Sequence, residues 1–332
     1  MFFKKILTSK TASLAALVAV ALGSTAYATQ YTVTPLGTLG GTNTTVEGIN
    51  STGELVWWSY NSAGNQNAFL YNNGAMTDLG TLGGTLSEAN AINSSGQVVG
   101  YSYNSVVNEN AFLYSNGAMT NLGTLGGPLS LANGINSLGQ VVGWADNSAY
   151  YQNAFLYSNG AMTNLGTLGG SFSVAYGINS SGQVVGWADN SAGNPNAFLY
   201  SNGAMTNLGT LGGANSYAYG INSSDQVVGW ADNSAGNANA FLYSNGVMQN
   251  LNNLLGSASS EYTLTSATGI NKNGQIAVNG TITATGQSMG FLLTPVTSTS
   301  SAGVPAPATL GLLAAAMAGL LLVRRKRVSA LS

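Results

Sequence analysis

The side chains in this sequence that can do chemistry are almost all oxygen-bearing. The 332 residues include no Cys and no His. Those absences exclude thiol or imidazole catalytic pairs, thiolate or imidazole metal sites, and disulfides. Carboxylates remain, and five lie apart from any repeated pattern: Glu47, Glu54, Asp78, Glu88 and Glu109. Two carboxyl groups at a suitable separation can hydrolyse a glycosidic bond. No spacing selects a pair, so we predict no catalytic residue and no enzyme activity; the alternative is a carboxylate-dependent glycoside hydrolase or lyase.

Three further acids, Asp146, Asp189 and Asp232, occupy equivalent positions in the repeated segment ADNSA. Such a loop resembles an oxygen-rich calcium site, but it has neither the acid expected at its fifth position nor a bidentate Glu downstream. An Asx-type turn is the favoured interpretation, with weak calcium binding as the alternative. We therefore predict no metal ligand and no cofactor.

The charge distribution bears on the partners that the protein can have. Only 5% of residues are charged and the net charge is −2. Seven of the eight basic residues lie near the two ends, and the central part contains Lys272 and all ten acids. An acidic central part does not neutralise phosphates, so we predict no nucleic-acid partner. At 45% apolar residues the chain can still bury a core.

The first 28 residues have the layout of a secretory signal peptide. Lys4, Lys5 and Lys10 precede an apolar run from Leu14 to Leu22, and Ala26 and Ala28 form a small-x-small cleavage site. We predict cleavage after Ala28 and export of the remainder. A permanent N-terminal anchor is the alternative.

The C-terminal residues 304–332 have three parts. Val304-Pro305-Ala306-Pro307 precede an uncharged run over residues 308–323, and a basic cluster follows: Arg324, Arg325, Lys326 and Arg327. A helix of this length spans about 24 Å, enough to insert with local thinning of the bilayer. The basic cluster should stay in the cytoplasm. Both ends thus predict one topology, with the central domain outside the cell and the last few residues inside.

This tail resembles the PEP-CTERM sorting signal of Gram-negative bacteria, with Ala306 where that family usually has Glu. The resemblance implies that an exosortase, a membrane protease, recognises the tail and that the protein is sorted to the cell surface. A simple C-terminal anchor is the alternative.

The central part is a repeat of 43 residues. The segment LGTLGG begins at Leu36, Leu79, Leu122, Leu165 and Leu208, and Leu251 begins a degraded sixth copy. NAFLY begins at Asn67, Asn110, Asn153, Asn196 and Asn239. Regular spacing of this kind indicates a repeat architecture.

Each repeat predicts four short strands. In the fourth repeat these are residues 174–179, 183–189, 197–201 and 204–208. Asn202-Gly203 suits a type I′ hairpin, and QVVG and AFLY are apolar at consecutive positions, as in strands buried on both faces. We predict an all-β fold, a six-bladed β-propeller closed by residues 31–36 joining the last blade, and a C-terminal hydrophobic helix. A linear solenoid is the alternative.

Two positions recur in most repeats. One is an Asn that precedes a turn: Asn50, Asn93, Asn136, Asn179, Asn222 and Asn271. The other is an aromatic residue: Trp58, Tyr101, Trp144, Trp187 and Trp230. Either set has the chemistry to contact sugar, but turn formation and packing between blades are the favoured interpretations.

The repeats resemble the HAF repeats of bacterial extracellular proteins, over residues 36–295, with Asn in place of the His in five copies. HAF repeats often accompany PEP-CTERM tails. We therefore expect a signal peptide at 1–28, a repeat domain at 29–296, a linker at 297–303 and a sorting signal at 304–332. The expected function is that of a non-catalytic scaffold or binding protein of the cell surface or extracellular matrix. The expected partners are the secretion machinery, the exosortase, and polysaccharide or other surface proteins.

Overall fold

The computed structural model describes residue 36 and residues 38–296, and these form a row of antiparallel sheets. The first sheet contains β1 (Gly40–Ile49), β2 (Leu55–Asn61), β3 (Gln66–Asn72) and β4 (Ala75–Asp78). The second contains β5 (Gly83–Ile92), β6 (Val98–Asn104), β7 (Glu109–Ser115) and β8 (Ala118–Asn121). The third contains β9 (Gly126–Ile135), β10 (Val141–Asn147), β11 (Gln152–Ser158) and β12 (Ala161–Asn164).

The remaining strands continue the pattern. The fourth sheet contains β13 (Gly169–Ile178), β14 (Val184–Asn190), β15 (Pro195–Ser201) and β16 (Ala204–Asn207). The fifth contains β17 (Gly212–Ile221), β18 (Val227–Asn233), β19 (Ala238–Ser244) and β20 (Val247–Asn250). The sixth contains β21 (Tyr262–Ile270), β22 (Ile276–Ile282) and β23 (Ser288–Leu293). A single parallel bridge between Gln66 and Leu86 also joins the first two sheets. The all-β prediction is confirmed for the described residues.

The hairpins form where the turn residues predict them. Asn202 has φ +53° and Gly203 has φ +81°, the left-handed pair that a type I′ turn requires. This turn pairs Ser201 with Ala204. The first strand of each repeat is longer than predicted, because the second half of LGTLGG extends the ladder: Gly169 pairs with Asn190.

Each middle sheet is buried on both faces, as the consecutive apolar residues predict. We call the face of a sheet that packs on the next sheet its forward face, and the opposite face its rear face. In the fourth sheet Val184 and Val185 are both fully buried, but Val184 packs with Val142 of the third sheet and Val185 with Ala218 of the fifth. The core is therefore a series of apolar layers, one between each pair of neighbours.

The two end sheets differ from the middle ones. On the rear face of the first sheet Val46 is 48% exposed and Ile49 is 67% exposed, whereas Ala89, at the position of Val46 in the second sheet, is fully buried. On the forward face of the sixth sheet Ala277 is exposed, whereas its counterpart Val228 is fully buried. Among residues 38–296 no strand pairing joins the first and sixth sheets. The predicted ring closure runs through residues 31–36, and since residues 31–35 lie outside the described residues it stays a prediction.

The degraded repeat at Leu251 has a local structure that the sequence did not predict. Two 3-10 helices, Leu251–Leu254 and Gly256–Ser260, follow β20. Asn250 caps the first of them, because its side chain accepts a hydrogen bond from the backbone N–H of Asn252. Within residues 38–296 no helix is long and apolar enough to cross a membrane. The predicted signal peptide, the sorting signal and its helix at 308–323 lie outside the described residues.

Candidate functional site

Two of the five carboxylates that depart from the repeat, Glu88 and Glu109, lie in the second sheet. Glu88 on β5 lies opposite Tyr101 on β6, and its carboxylate accepts a 2.6 Å hydrogen bond from the Tyr101 hydroxyl. The Gln66 amide of the first sheet donates to the same carboxylate oxygen at 3.0 Å. Burial, followed by this hydrogen bond and the Glu88 charge, raises the pKa of the Tyr101 hydroxyl. The phenol therefore remains a hydrogen-bond donor at neutral pH.

Glu109 lies between two other carboxylates, Glu88 and Asp146, whose charges both act on it. Burial is the main reason that the pKa of Glu109 is raised, and the negative charges of Glu88 and Asp146 raise it further. Burial also raises the pKa of Asp146, against the lowering effect of a hydrogen bond from the Leu129 backbone. Each group is therefore more readily protonated than an exposed carboxyl. The structure thus brings Glu88 and Glu109 into one electrostatic cluster with Asp146, although the three belong to two different sheets.

This acidic cluster can accept hydrogen bonds and hold a proton, but it does not form a metal centre. Among the described residues no three carboxylates are placed to share a metal ion. The other unrepeated acids lie apart from it. Glu54 accepts hydrogen bonds from Asn50 and Asn72, Asp78 accepts two from Asn67, and Glu47 is exposed.

The recurring Asn residues form a structural ladder between sheets. In the third sheet the Asn136 amide donates to the Gln140 side chain at 2.8 Å and to the Asn179 carbonyl of the next sheet at 3.0 Å. Its oxygen accepts from the backbone N–H groups of Leu138 and Gln140. Equivalent inter-sheet bonds start from Asn50, Asn93, Asn179 and Asn222. The turn interpretation is confirmed, and the same side chain also bonds the next sheet.

The ADNSA loops are organised by the Asn that follows each Asp. In the fourth sheet the Asn190 oxygen accepts from the backbone N–H groups of Ala192 and Asn194 at 2.9 and 3.1 Å. The residues preceding it are engaged elsewhere: the Asp232 carboxylate, for example, accepts a 2.8 Å bond from Asn215. The Asx-type turn is therefore present, but it is centred one residue later than the sequence analysis placed it.

At Trp187 the recurring aromatic position packs one sheet against the next. The Trp187 and Tyr217 rings, from the fourth and fifth sheets, have centroids 5.4 Å apart. Tyr217 in turn stacks on Trp230 at 4.7 Å with an interplanar angle of 16°. The indole N–H groups of Trp187 and Trp230 donate to Tyr176 and Tyr219. Packing between sheets is thus confirmed at Trp187. Two other members of the set have contacts within their own sheet: the Trp58 ring meets Tyr60, and the Tyr101 hydroxyl donates to Glu88.

The sequence analysis singled out Glu88 and Glu109 but missed their partners. Gln66 and Tyr101 occupy repeat positions whose counterparts have other roles, and Asp146 belongs to a different repeat from Glu88. Their assembly depends on how one sheet is placed over the next. The sequence signal that was available is the change of residue type at a repeat position, as at Tyr101 in a series of Trp.

Comparisons with known proteins give limited matches. The family described as "Protein of unknown function (DUF3466)" matches residues 194–310, about a third of the chain. No curated protein matches the chain.

Several solved structures are similar at low identity. The β-propeller domain of the Trilobed protease from Pyrococcus furiosus, described as having an open velcro topology, is 8% identical with a TM-score of 0.49, covering 75% of this chain and 82% of that one. A six-bladed β-propeller fungal lectin from Aleuria aurantia is 12% identical with a TM-score of 0.36, covering 75% and 91%. TolB from Acinetobacter baumannii is 11% identical with a TM-score of 0.40, covering 76% of this chain and 54% of TolB, so this chain spans about half of TolB.

Proposed function

We propose that this protein is a non-catalytic scaffold of the cell surface or extracellular matrix, which binds polysaccharide or other surface proteins. The observation that carries the proposal is the use of the repeated polar side chains. The Asn ladder, together with Ser130, Ser173 and Ser216, hydrogen-bonds one sheet to another. The repeated polar side chains are therefore used to hold the sheets together. The unrepeated residues at the surface remain available for contacts with partners.

Export of this scaffold rests on the two ends of the chain. The signal peptide would be removed after Ala28, and an exosortase would process the tail that begins at Val304. Mass spectrometry of the termini of the protein recovered from its native cell tests this directly. We expect an N-terminus at Thr29 and loss of the segment from Arg324 to Arg327. A mature protein that keeps those four basic residues would exclude exosortase processing.

The second candidate function, a glycoside hydrolase or lyase, is favoured by one observation. The pKa of Glu109 is raised by burial and by two neighbouring carboxylates, and a general acid needs a raised pKa. Incubation with a polysaccharide panel separates the two functions. The scaffold predicts binding without release of reducing ends. Release that is lost in Glu109→Gln would establish the hydrolase instead.

We also propose the finer architecture that the sequence predicts, a six-bladed β-propeller closed by residues 31–36. The sixth sheet supplies the first support. In the fifth sheet β20 carries Met248 onto the apolar layer between the fourth and fifth sheets. At the matching place beside β23 the described residues form a cavity of about 590 Å³ lined by Leu242, Leu255 and Leu293. Alignment on LGTLGG places Val33 at the position of Met248.

The residue types of the closing strand also fit the pairing. The Leu208 N–H donates to the Ala197 carbonyl, so the Asn207 N–H, one residue earlier, points away from the ladder. Pro35 corresponds to Asn207. Proline has no N–H, and this is a position of the strand where none is needed.

The faces of the two end sheets are complementary in size. Trp57 on the rear face of the first sheet replaces the Gly found at that position in the next four sheets, such as Gly100 and Gly143. Its indole Nε1 is buried, and no described residue forms a hydrogen bond with it. On the forward face of the sixth sheet smaller residues replace larger ones: Ala277 replaces Val, and Asn279 replaces Trp. The rear face of the first sheet thus has a larger side chain and an indole N–H that needs an acceptor. The forward face of the sixth sheet has smaller side chains and, in Asn279, a polar one.

A disulfide test of the closure is clean because the chain has no Cys. In the predicted register Val33 and Leu293 form a non-hydrogen-bonded pair, whose short separation suits a disulfide. We expect Val33→Cys with Leu293→Cys to form an intramolecular crosslink on oxidation, and the mismatched control Val33→Cys with Leu292→Cys to remain reduced. Free thiols in the matched variant would refute the closure, and a crosslinked dimer would show that the strand pairs with a second copy.

A further inference from the structure

Two loops of neighbouring sheets carry exposed apolar residues that the other sheets lack. The loop between the second and third strands reads NSAGN in the first, fourth and fifth sheets, but NSVVN in the second and NSAYY in the third. Val106 is 69% exposed, Val107 72% and Tyr150 72%. Tyr151 and Phe172, at 43% and 39% exposed, continue the patch toward the fourth sheet. We call these five residues the loop patch.

The backbone of the two loops shows that stability does not explain these residues. Val107 has φ +66° and Tyr150 has φ +64°, where the other loops place Gly64, Gly193 and Gly236 at φ +78° to +79°. A left-handed conformation costs a residue with a side chain about 1–2 kcal/mol, and it is particularly unfavourable for a β-branched one. The same Asx turn holds the loop in every case, since the Asn104 and Asn147 oxygens accept the backbone N–H two residues later.

The size of the loop patch limits its partner. Its five side chains expose roughly 500 Å² in total, by the usual areas of valine and aromatic side chains. This summed area is below the roughly 800 Å² per partner of a stable protein–protein interface. A narrow, extended ligand fits this area better than a folded protein.

The charges around the loop patch limit the partner further. Glu109 directly follows the first loop and Asp146 directly precedes the second. Lys272, the single cation of the described residues, lies in the turn after β21 of the sixth sheet. Acidic surroundings without a neighbouring cation repel phosphates, anionic lipids and acidic polysaccharides. Carboxylates and amides near exposed rings instead accept hydrogen bonds from hydroxyl groups.

The arrangement of the rings favours sugars. Tyr151 and Phe172 are at an interplanar angle of 85° with centroids 5.3 Å apart, so an edge of one ring meets a face of the other and other ring faces remain open. An aromatic face offers an apolar surface with polar groups at its rim, which matches the apolar C–H face and hydroxyl edge of a pyranose ring.

We propose that the loop patch is a binding site for uncharged polysaccharide, in which Tyr150 and Tyr151 stack on pyranose rings and Val106 and Val107 contact the adjoining sugar unit. This rests on the proposed scaffold function and names the class of its ligand. Glu109, partly exposed directly after the first loop, supplies an acceptor for the sugar hydroxyls.

The test removes the two most exposed side chains of the loop patch, those of Val107 and Tyr150, without disturbing the fold. The double variant Val107→Gly, Tyr150→Gly restores the residue that three other loops already have, so it should fold with an equal or higher melting temperature. The matched control is Leu138→Ser: Leu138 is 71% exposed outside the loop patch, and Ser stands at its position in the second, fourth and fifth sheets. The probes are insoluble cellulose, starch granules, dextran beads, alginate beads and vesicles containing anionic lipid.

We expect the protein to be depleted from solution by at least one of the three uncharged polysaccharides, with a loss of at least tenfold in the double variant and none in Leu138→Ser. Equal binding by the double variant, or binding to alginate or vesicles alone, would overturn the assignment. Absence of binding to all three uncharged polysaccharides would overturn it too, but an exported mature protein with processed termini would leave the scaffold function standing.

Discussion

The Asn ladder makes a quantitative prediction about the stability of the row of sheets. Asn136 is only 5% exposed and takes part in four hydrogen bonds, two to the turn that follows it, one to Gln140 and one to the next sheet. A typical intramolecular hydrogen bond contributes about 1 kcal/mol net. Asn136→Ala should therefore lower the free energy of unfolding by about 4 kcal/mol. Urea unfolding followed by tryptophan fluorescence measures it.

The isosteric variant Asn136→Asp separates the two halves of this effect. It keeps the oxygen that accepts the turn N–H groups, but it replaces the donor with a carboxyl group facing the Gln140 oxygen and the Asn179 carbonyl. Burial beside two acceptors raises the pKa of the introduced carboxyl. A raised folded-state pKa contributes stability below the unfolded value, and that stability is lost as the pH rises. The variant should therefore be less stable at pH 7 than at pH 4, relative to the unchanged protein. A loss below 1 kcal/mol in Asn136→Ala, or no pH dependence in Asn136→Asp, would refute the reasoning.

Gly186→Ala should lower the free energy of unfolding by about 3 kcal/mol or more, because the added Cβ would lie 1.9 Å from the Val174 carbonyl oxygen. The control Gly193→Ala, in open space at φ +79°, should lower it by about 1 kcal/mol. Similar losses for the two variants in urea unfolding would contradict this. Ser173→Ala should cost about 2 kcal/mol, since it removes the acceptor of the Ala154 N–H and the donor to the Gly166 carbonyl, while the exposed control Ser180→Ala should be neutral. The stability of Glu109→Gln relative to the unchanged protein should rise as the pH increases from 4 to 7. The reason is that the pKa of Glu109 is raised, so its ionised form destabilises the fold. A constant difference in melting temperature across that range would contradict this.

The local structure was predictable because each signal lies within one repeat. Asn-Gly turns, the strand limits and the two-sided burial of Val184 and Val185 follow from backbone preferences and hydrophobic pattern. The additional length of β13 was not predictable. The Gly-Gly pair at residues 169 and 170 is typical of a turn, and the pairing of Gly169 with Asn190 of β14 depends on tertiary structure.

The candidate sites also differ in whether the sequence could predict them. The role of the repeated Asn residues could be predicted, since that side chain meets the same turn in every unit, whereas the neighbours of the aromatic position change from one unit to the next. The cluster of Glu88, Glu109 and Asp146 could not, because its members face one another across different sheets. The loop patch was also missed: Val106, Val107 and Tyr150 interrupt a repeated loop, and their significance depends on the exposure and positive φ that the structure shows.

The Asn ladder runs in one direction only, since each amide reaches the carbonyl exactly one repeat further along. A whole module can therefore be duplicated or deleted by recombination in register, and each newly joined pair of modules would re-form the same bond. A crossover out of register would break it at once. Descendants of this gene are thus expected to vary in integer numbers of modules, with the specialised end modules retained.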